Sequence, residues 1–169
     1  MLPEAQMRVL LLAGAAGGAL RMASAFVPYE PESIRLESLY AAIDVALLLG
    51  LVGIHQQAAS RTGAAGLAFF ALSVAALASI VGPDPTMFGV DFYRVGASVF
   101  ALALAGFAVT LLVARVHAIT AVLWIACAVS GVLAATGSPL AFMIAGLALG
   151  AGFVAAALPT EGQSALRKA

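Results

Sequence analysis

Residues 39–81 decide the fold of this chain, and they read LYAAIDVALLLGLVGIHQQAASRTGAAGLAFFALSVAALASIV. Two apolar stretches flank a short connection in which Arg61 carries the only charge. Each stretch approaches the length of about 20 apolar residues that an α-helix needs to cross the hydrocarbon core of a bilayer. Similar stretches lie on both sides of this segment. The sequence therefore predicts an all-α integral membrane protein.

The composition supports the same class. Of the 169 residues, 63% are hydrophobic and only 9% are charged, and the mean hydropathy is +1.09. A soluble globule of this size could not keep so much apolar surface away from water. The net charge is zero and no basic cluster is present, which argues against nucleic acid as a partner. The expected partners are the lipid bilayer and, as candidates, other membrane protein subunits.

The apolar stretches predict a single domain over residues 1–169, a bundle of six transmembrane helices. Their predicted bounds are 7–27, 39–57, 63–81, 95–114, 118–136 and 139–158. In an alternative interpretation the first stretch is a cleaved signal peptide. Arg21 lies between its apolar core and the small-residue cleavage site, which makes this alternative the weaker one.

The charged residues predict the orientation, because lysines and arginines in short loops are retained on the cytoplasmic side. One side would carry most of the basic residues, and the other an acidic group in the two outer loops. We therefore expect both termini in the cytoplasm and a multi-pass protein of the bacterial cytoplasmic (inner) membrane. The acidic group could gather cations, although solvated loop carboxylates are the simpler interpretation. The basic set is Arg8, Arg61, Arg115, Arg167 and Lys168, and the acidic set is Glu30, Glu32, Asp84 and Asp91.

Two charged residues, Arg21 and Asp44, fall well inside apolar stretches. Each lies roughly 9 Å inside the outer end of its predicted helix. An isolated charge at such depth costs at least ~2.5 kcal/mol, so the two side chains are expected to pair. The pair is either a structural salt bridge between the first two helices or an ion or proton site that uses Asp44. One acid matched by one base favours the structural salt bridge.

Asp44 also belongs to a polar stripe on the second predicted helix. At 100° per residue, Glu37, Tyr40 and His55 fall on nearly the same line, and this face is expected to point into the bundle. His55 and His117 would lie at the cytoplasmic interface, where solvated histidines are a simpler interpretation than shared ligands of a haem or metal ion. No cofactor and no metal site is predicted.

Small and aromatic residues predict how the helices pack. Gly14 and Gly18 form a small-xxx-small motif, which is expected to serve packing within the chain instead of homodimerisation. Gly146 and Gly150 form a second one. Trp124 lies too deep for an interfacial belt and is expected in the bundle core.

The sequence contains no phosphate-cradling loop, no paired-histidine zinc helix and no nucleophile-elbow serine, so no catalytic residue is predicted. Three function classes remain. A non-catalytic accessory, assembly or scaffold subunit of a membrane complex fits the small size and is favoured. The first alternative is a small ion or solute transporter that uses the Arg21 and Asp44 pair, and the second is a lipid-binding sensor or membrane enzyme.

Overall fold

The computed structural model describes residues 3–27, 33–81, 86–87 and 90–158. Over these ranges the chain is helical, apart from a two-residue antiparallel ladder, and this confirms the all-α class. The ladder pairs β1 (Thr86–Met87) with β2 (Val90–Asp91), immediately before the third helix. The helices are α1 (Glu4–Ser24), α2 (Ile34–Ser79), α3 (Phe92–Val113), α4 (Ala118–Ala134) and α5 (Pro139–Ala157).

The second helix, α2, folds back on itself at Gly63. This glycine has φ 60° and ψ −157°, far from helical values. His55 and Phe70, on either side of it, stack with ring centroids 4.0 Å apart. In one straight helix they would lie about 22 Å apart along the axis. Therefore α2 is a helical hairpin, with an N-terminal half (residues 34–62) and a C-terminal half (residues 64–79).

The number of helices does not support the predicted six-span bundle. Within the described residues the helices number five, and three of them, α2, α3 and α5, are long and apolar enough to cross a membrane. The predicted second and third spans are the two halves of α2, because residues 58–62 stay helical and the non-helical backbone is confined to Gly63. At 17 residues α4 is shorter than the others. Arg8 and Arg21 lower the hydropathy of α1.

The helices form a closed ring. On one side α1 packs against α2 and on the other against α5, while α4 packs between α5 and α3, and α3 packs against α2. The chain alternates in direction around this ring, so the bundle has two ends. We call them the Arg21 end, where α1 finishes, and the Gly63 end, where α2 reverses.

Glycines let α1 approach its two neighbours at backbone distance. A Cβ atom added to Gly14 would lie 2.5 Å from the Cα of Gly50 in α2. A Cβ atom added to Gly18 would lie 2.5 Å from the carbonyl oxygen of Gly150 in α5. Both approaches are within the chain, as predicted for these motifs. Gly146 is looser, since its added Cβ would meet only the Ala25 Cβ atom, at 3.8 Å.

The outer surface of the ring is apolar along its length. Large hydrophobic side chains on every helix are exposed, as expected for a surface that faces lipid instead of water. Examples are Leu12 on α1, Leu72 on α2, Leu102 on α3, Val122 on α4 and Phe142 on α5.

Candidate functional site

Polar groups from three helices gather at the Arg21 end, and the first of them is Arg21 itself. It lies in the last turn of α1 and is half-buried. Its guanidinium carbon lies 5.9 Å from the centroid of the Tyr40 ring in α2, within the range of a cation–π contact. The seam below them is tight, because a Cβ atom added to Gly17 would lie 3.2 Å from the Ile43 carbonyl oxygen. The packing of α1 on α2 therefore fixes where the guanidinium can go.

Asp44 follows Tyr40 by one helical turn on the same face of α2 and is also half-buried. Within the described ranges the structure contains no salt bridge, so the predicted direct bridge between Arg21 and Asp44 is not formed. The guanidinium takes the position over Tyr40, one turn nearer the start of α2. The Arg21 charge nevertheless stays within electrostatic range of the Asp44 carboxylate. The two charges share an environment without bonding to each other.

Tyr93, in the first turn of α3, completes this group. Its side chain lies close enough to Arg21, Asp44 and Tyr40 to interact with them electrostatically. The side chain is 39% exposed and lies at the Arg21 end of the ring. We call Arg21, Tyr40, Asp44 and Tyr93 the Arg21 cluster.

The sequence analysis did not predict Tyr93 as a member of this cluster. The available signal was the position of Tyr93 at the beginning of α3, on the side of the membrane predicted for Arg21. Nothing in the local sequence says that α3 brings Tyr93 close to Arg21.

The polar stripe on α2 is divided by the structure. Glu37, Tyr40 and Asp44 are half-buried toward the Arg21 end. His55 lies about 16 Å further along the helix and is 8% exposed. The expectation of a solvated interfacial histidine is wrong, because the C-terminal half of α2 folds back and covers the imidazole with Phe70.

His55 is part of a line of aromatic rings that runs through the bundle. Its centroid lies 4.0 Å from Phe70 and 6.2 Å from Phe107, which in turn is 6.3 Å from Trp124. Trp124 is 5.0 Å from Phe153 of α5. We call these five residues the aromatic column. Trp124 is fully buried, which confirms its predicted place in the core.

Two nitrogen atoms in the aromatic column, His55 Nδ1 and Trp124 Nε1, are buried and have no hydrogen-bond partner among the described residues. The indole nitrogen packs against Gly152 of α5, where a Cβ atom would collide with it. A buried polar atom without a partner destabilises the fold by about 1–3 kcal/mol. Dense aromatic packing therefore comes at the expense of hydrogen bonding here.

His117 has a different setting from His55. It lies in the connection between α3 and α4, is half-buried, and caps α4 in the left-handed conformation at φ 49°. Partial burial lowers the pKa of His117 below its usual value of 6.5, because desolvation disfavours the charged imidazolium.

The acidic group of the predicted outer loops is only partly described. Glu30, Glu32 and Asp84 lie outside the described residues. Asp91 is the N-cap of α3, where its Oδ1 atom accepts a hydrogen bond of 2.8 Å from the Arg94 backbone N–H. This bond gives Asp91 a structural role, since N-cap side chains satisfy otherwise unpaired helical donors.

In the part of the chain that the structure describes, no group of three or more His, Cys, Asp or Glu side chains could hold a metal ion. The chain also matches no known protein family, no curated protein and no solved structure. The function must therefore be argued from the arrangement of its own residues.

Proposed function

We propose that this chain crosses a bacterial cytoplasmic membrane six times, with both termini in the cytoplasm. The hairpin in α2 supports two crossings by one helix, since its halves run in opposite directions on either side of Gly63. The 17 residues of α4 rise about 25 Å, close to the thickness of a hydrocarbon core. Arg8, Arg61 and Arg115 are exposed at the Gly63 end, which favours the cytoplasm for that end.

We infer that its role is non-catalytic, as an accessory, assembly or scaffold subunit of a membrane complex. The observation that carries this proposal is the aromatic column. Phe107, Trp124 and Phe153 are each at most 1% exposed and fill the middle of the ring together with His55. Because aromatic rings fill the middle of the bundle, other molecules would contact this chain mainly at its outer surface.

A transporting role is the second candidate, and the Arg21 cluster favours it. Half-buried charges inside a membrane bundle are costly and often mark a solute or ion pathway. A solute that entered at the Arg21 end would meet the aromatic column before reaching the Gly63 end, because His55 lies about 16 Å beyond Asp44. Passage would require Phe107 and Trp124 to move together, so this candidate ranks second.

Co-purification tests the accessory role. The tagged full-length chain is extracted in a gentle detergent from the membranes of cells that express it natively, and the co-eluting proteins are quantified by mass spectrometry. We expect at least one membrane protein in stoichiometric amount. Elution as a chain that carries only detergent and lipid, after crosslinking in intact membranes as well, would exclude the accessory role.

A variant with a damaged core provides the control. Trp124→Ala removes the centre of the aromatic column, so a partner that recognises the folded bundle should be lost from the eluate. Chaperones and proteases that bind unfolded chains should instead increase. A protein that increases with Trp124→Ala is therefore not counted as a partner.

A further inference from the structure

The Arg21 cluster has charges of both signs that do not neutralise each other by direct contact. Arg21 comes from α1 and Asp44 from α2, and the tight seam at Gly17 holds the two helices in place. No salt bridge joins the two side chains, although both are described and half-buried. A guanidinium has five N–H donors, and a contact with the face of Tyr40 satisfies none of them. Within the part of the chain that the structure describes, guanidinium donors of Arg21 and carboxylate acceptors of Asp44 therefore remain for a third molecule.

The signs of the charges limit what that molecule can be. A simple anion would satisfy Arg21 but would be repelled by Asp44, and a simple cation would meet the reverse problem. A molecule with separate negative and positive groups can satisfy both side chains at once. The tyrosine of α3 adds a phenol group near Arg21, and its side chain is 39% exposed.

We propose that the Arg21 cluster binds a zwitterion that carries a phosphate and a primary ammonium group, the chemistry of a phosphatidylethanolamine head group. Arg21 donates hydrogen bonds to the phosphate, with Tyr93 beside it, and Asp44 accepts hydrogen bonds from the ammonium. Arg is suited to this task because its planar guanidinium matches the geometry of phosphate oxygens. A lipid would also place its acyl chains against the apolar surface of the ring.

Lipid retention tests the proposal in the full-length protein. The protein is reconstituted in vesicles of equimolar phosphatidylethanolamine and phosphatidylglycerol, extracted, and its bound lipids are counted by native mass spectrometry. We expect phosphatidylethanolamine to be retained at least about tenfold over phosphatidylglycerol, which corresponds to one decade in affinity. Equal retention of the two lipids would overturn the proposal if soluble phosphoethanolamine also fails to bind.

Two variants should change the preference in different ways. Asp44→Asn removes the negative charge that attracts the ammonium, so the preference for phosphatidylethanolamine should vanish while phosphatidylglycerol is retained. Arg21→Gln removes the phosphate donor, and retention of both lipids should fall. Arg35→Gln, an exposed arginine in the first turn of α2, is the matched control and should leave the preference unchanged. An unchanged preference in Asp44→Asn would exclude Asp44 from the site.

Soluble phosphoethanolamine distinguishes a lipid head group from a soluble ligand as the bound molecule. This experiment uses only the wild-type protein. Displacement of bound phosphatidylethanolamine from the wild-type protein by millimolar phosphoethanolamine supports the site with the head group as its recognised part. Binding of phosphoethanolamine without selective lipid retention supports the same site with a soluble ligand. The proposal is overturned if neither phosphatidylethanolamine nor phosphoethanolamine binds the wild-type protein better than phosphatidylglycerol does. This outcome does not depend on whether the variants fold.

Discussion

His55 and Phe70 stack face to face in the centre of the bundle, with ring planes inclined by only 5°. Both residues belong to α2, and their contact exists because the helix reverses at Gly63. The stack closes the hairpin over the imidazole and begins the aromatic column that continues through Phe107 to α4 and α5. One glycine thus determines both the topology of α2 and the burial of a histidine.

Gly63→Ala should destabilise the protein by about 1–3 kcal/mol, because φ 60° with ψ −157° is a region that only glycine occupies readily. No atom lies within 4 Å of the added Cβ, so the effect would be conformational and not a clash. Thermal unfolding in detergent measures it. Gly131→Ala in α4 is the control, since its Cβ also meets open space and its backbone is helical. Equal melting temperatures for the two variants would contradict the strained reversal.

Gly18→Ala should lower the free energy of unfolding by about 1–3 kcal/mol, as expected when a packed interface is forced apart. Its Cβ would lie 2.5 Å from the Gly150 carbonyl oxygen, a backbone atom that can move only together with α5. Gly146→Ala should cost much less, because its nearest neighbour is 3.8 Å away. Thermal unfolding of the two variants tests the register of α1 on α5. A larger loss of stability for Gly146→Ala than for Gly18→Ala would show that α1 and α5 pack in a different register.

His55→Phe should stabilise the protein by about 1 kcal/mol, because it removes the unpartnered Nδ1 atom while keeping an aromatic ring on Phe70. His55→Ala should instead cost several kcal/mol through the cavity that it leaves. Denaturation monitored by the fluorescence of Trp124, the only tryptophan, reports both changes. A loss of stability in His55→Phe would indicate that the imidazole nitrogen has a polar partner in the membrane.

Arg21→Gln and Asp44→Asn should show a coupling energy of about 1 kcal/mol or less in a double-mutant cycle. A direct buried salt bridge would give a much larger value, because each single change would leave an unpaired charge. The structure has both charges in one cluster without a bond between them. Thermal unfolding of the wild type, both single variants and the double variant provides the cycle. If the double variant recovers most of the stability that the single variants lose, the two side chains do form a direct bridge.

Cysteine labelling should find positions 35 and 94 on one side of the membrane and position 61 on the other. Cys127→Ser removes the only native thiol, and Arg35→Cys, Arg94→Cys and Arg61→Cys place single thiols at exposed positions. We expect an impermeant maleimide to label the first two in intact cells and the third only after permeabilisation. Labelling of positions 61 and 94 from the same side would exclude two crossings by α2.

Much of the fold could be predicted from single stretches of sequence. The helix beginnings near Phe92, Ala118 and Pro139 follow from apolar length, caps and a proline in the first turn. The burial of Trp124 and the use of Gly14 and Gly18 within the chain were also predicted correctly. These features depend on local chemistry, which each stretch carries by itself.

The candidate site could be predicted only in part. Arg21 and Asp44 were recognised because charge inside an apolar stretch is costly wherever the helix packs. Their direct bridge was predicted wrongly, since depth along two helices says nothing about where a long arginine side chain finally points. Tyr93 was missed because its approach to Arg21 depends on the position of α3 in the ring.

The sequence by itself determined that the chain is helical, that its surface suits lipid, and which residues carry charge into the apolar stretches. Only the tertiary structure decided that His55 is buried, that Arg21 lies over Tyr40 instead of bonding Asp44, and that aromatic rings fill the middle of the bundle. The physical reason is the range of the forces. Hydrophobicity and backbone propensity act within each helix, whereas ring stacking and charge placement depend on which helices become neighbours.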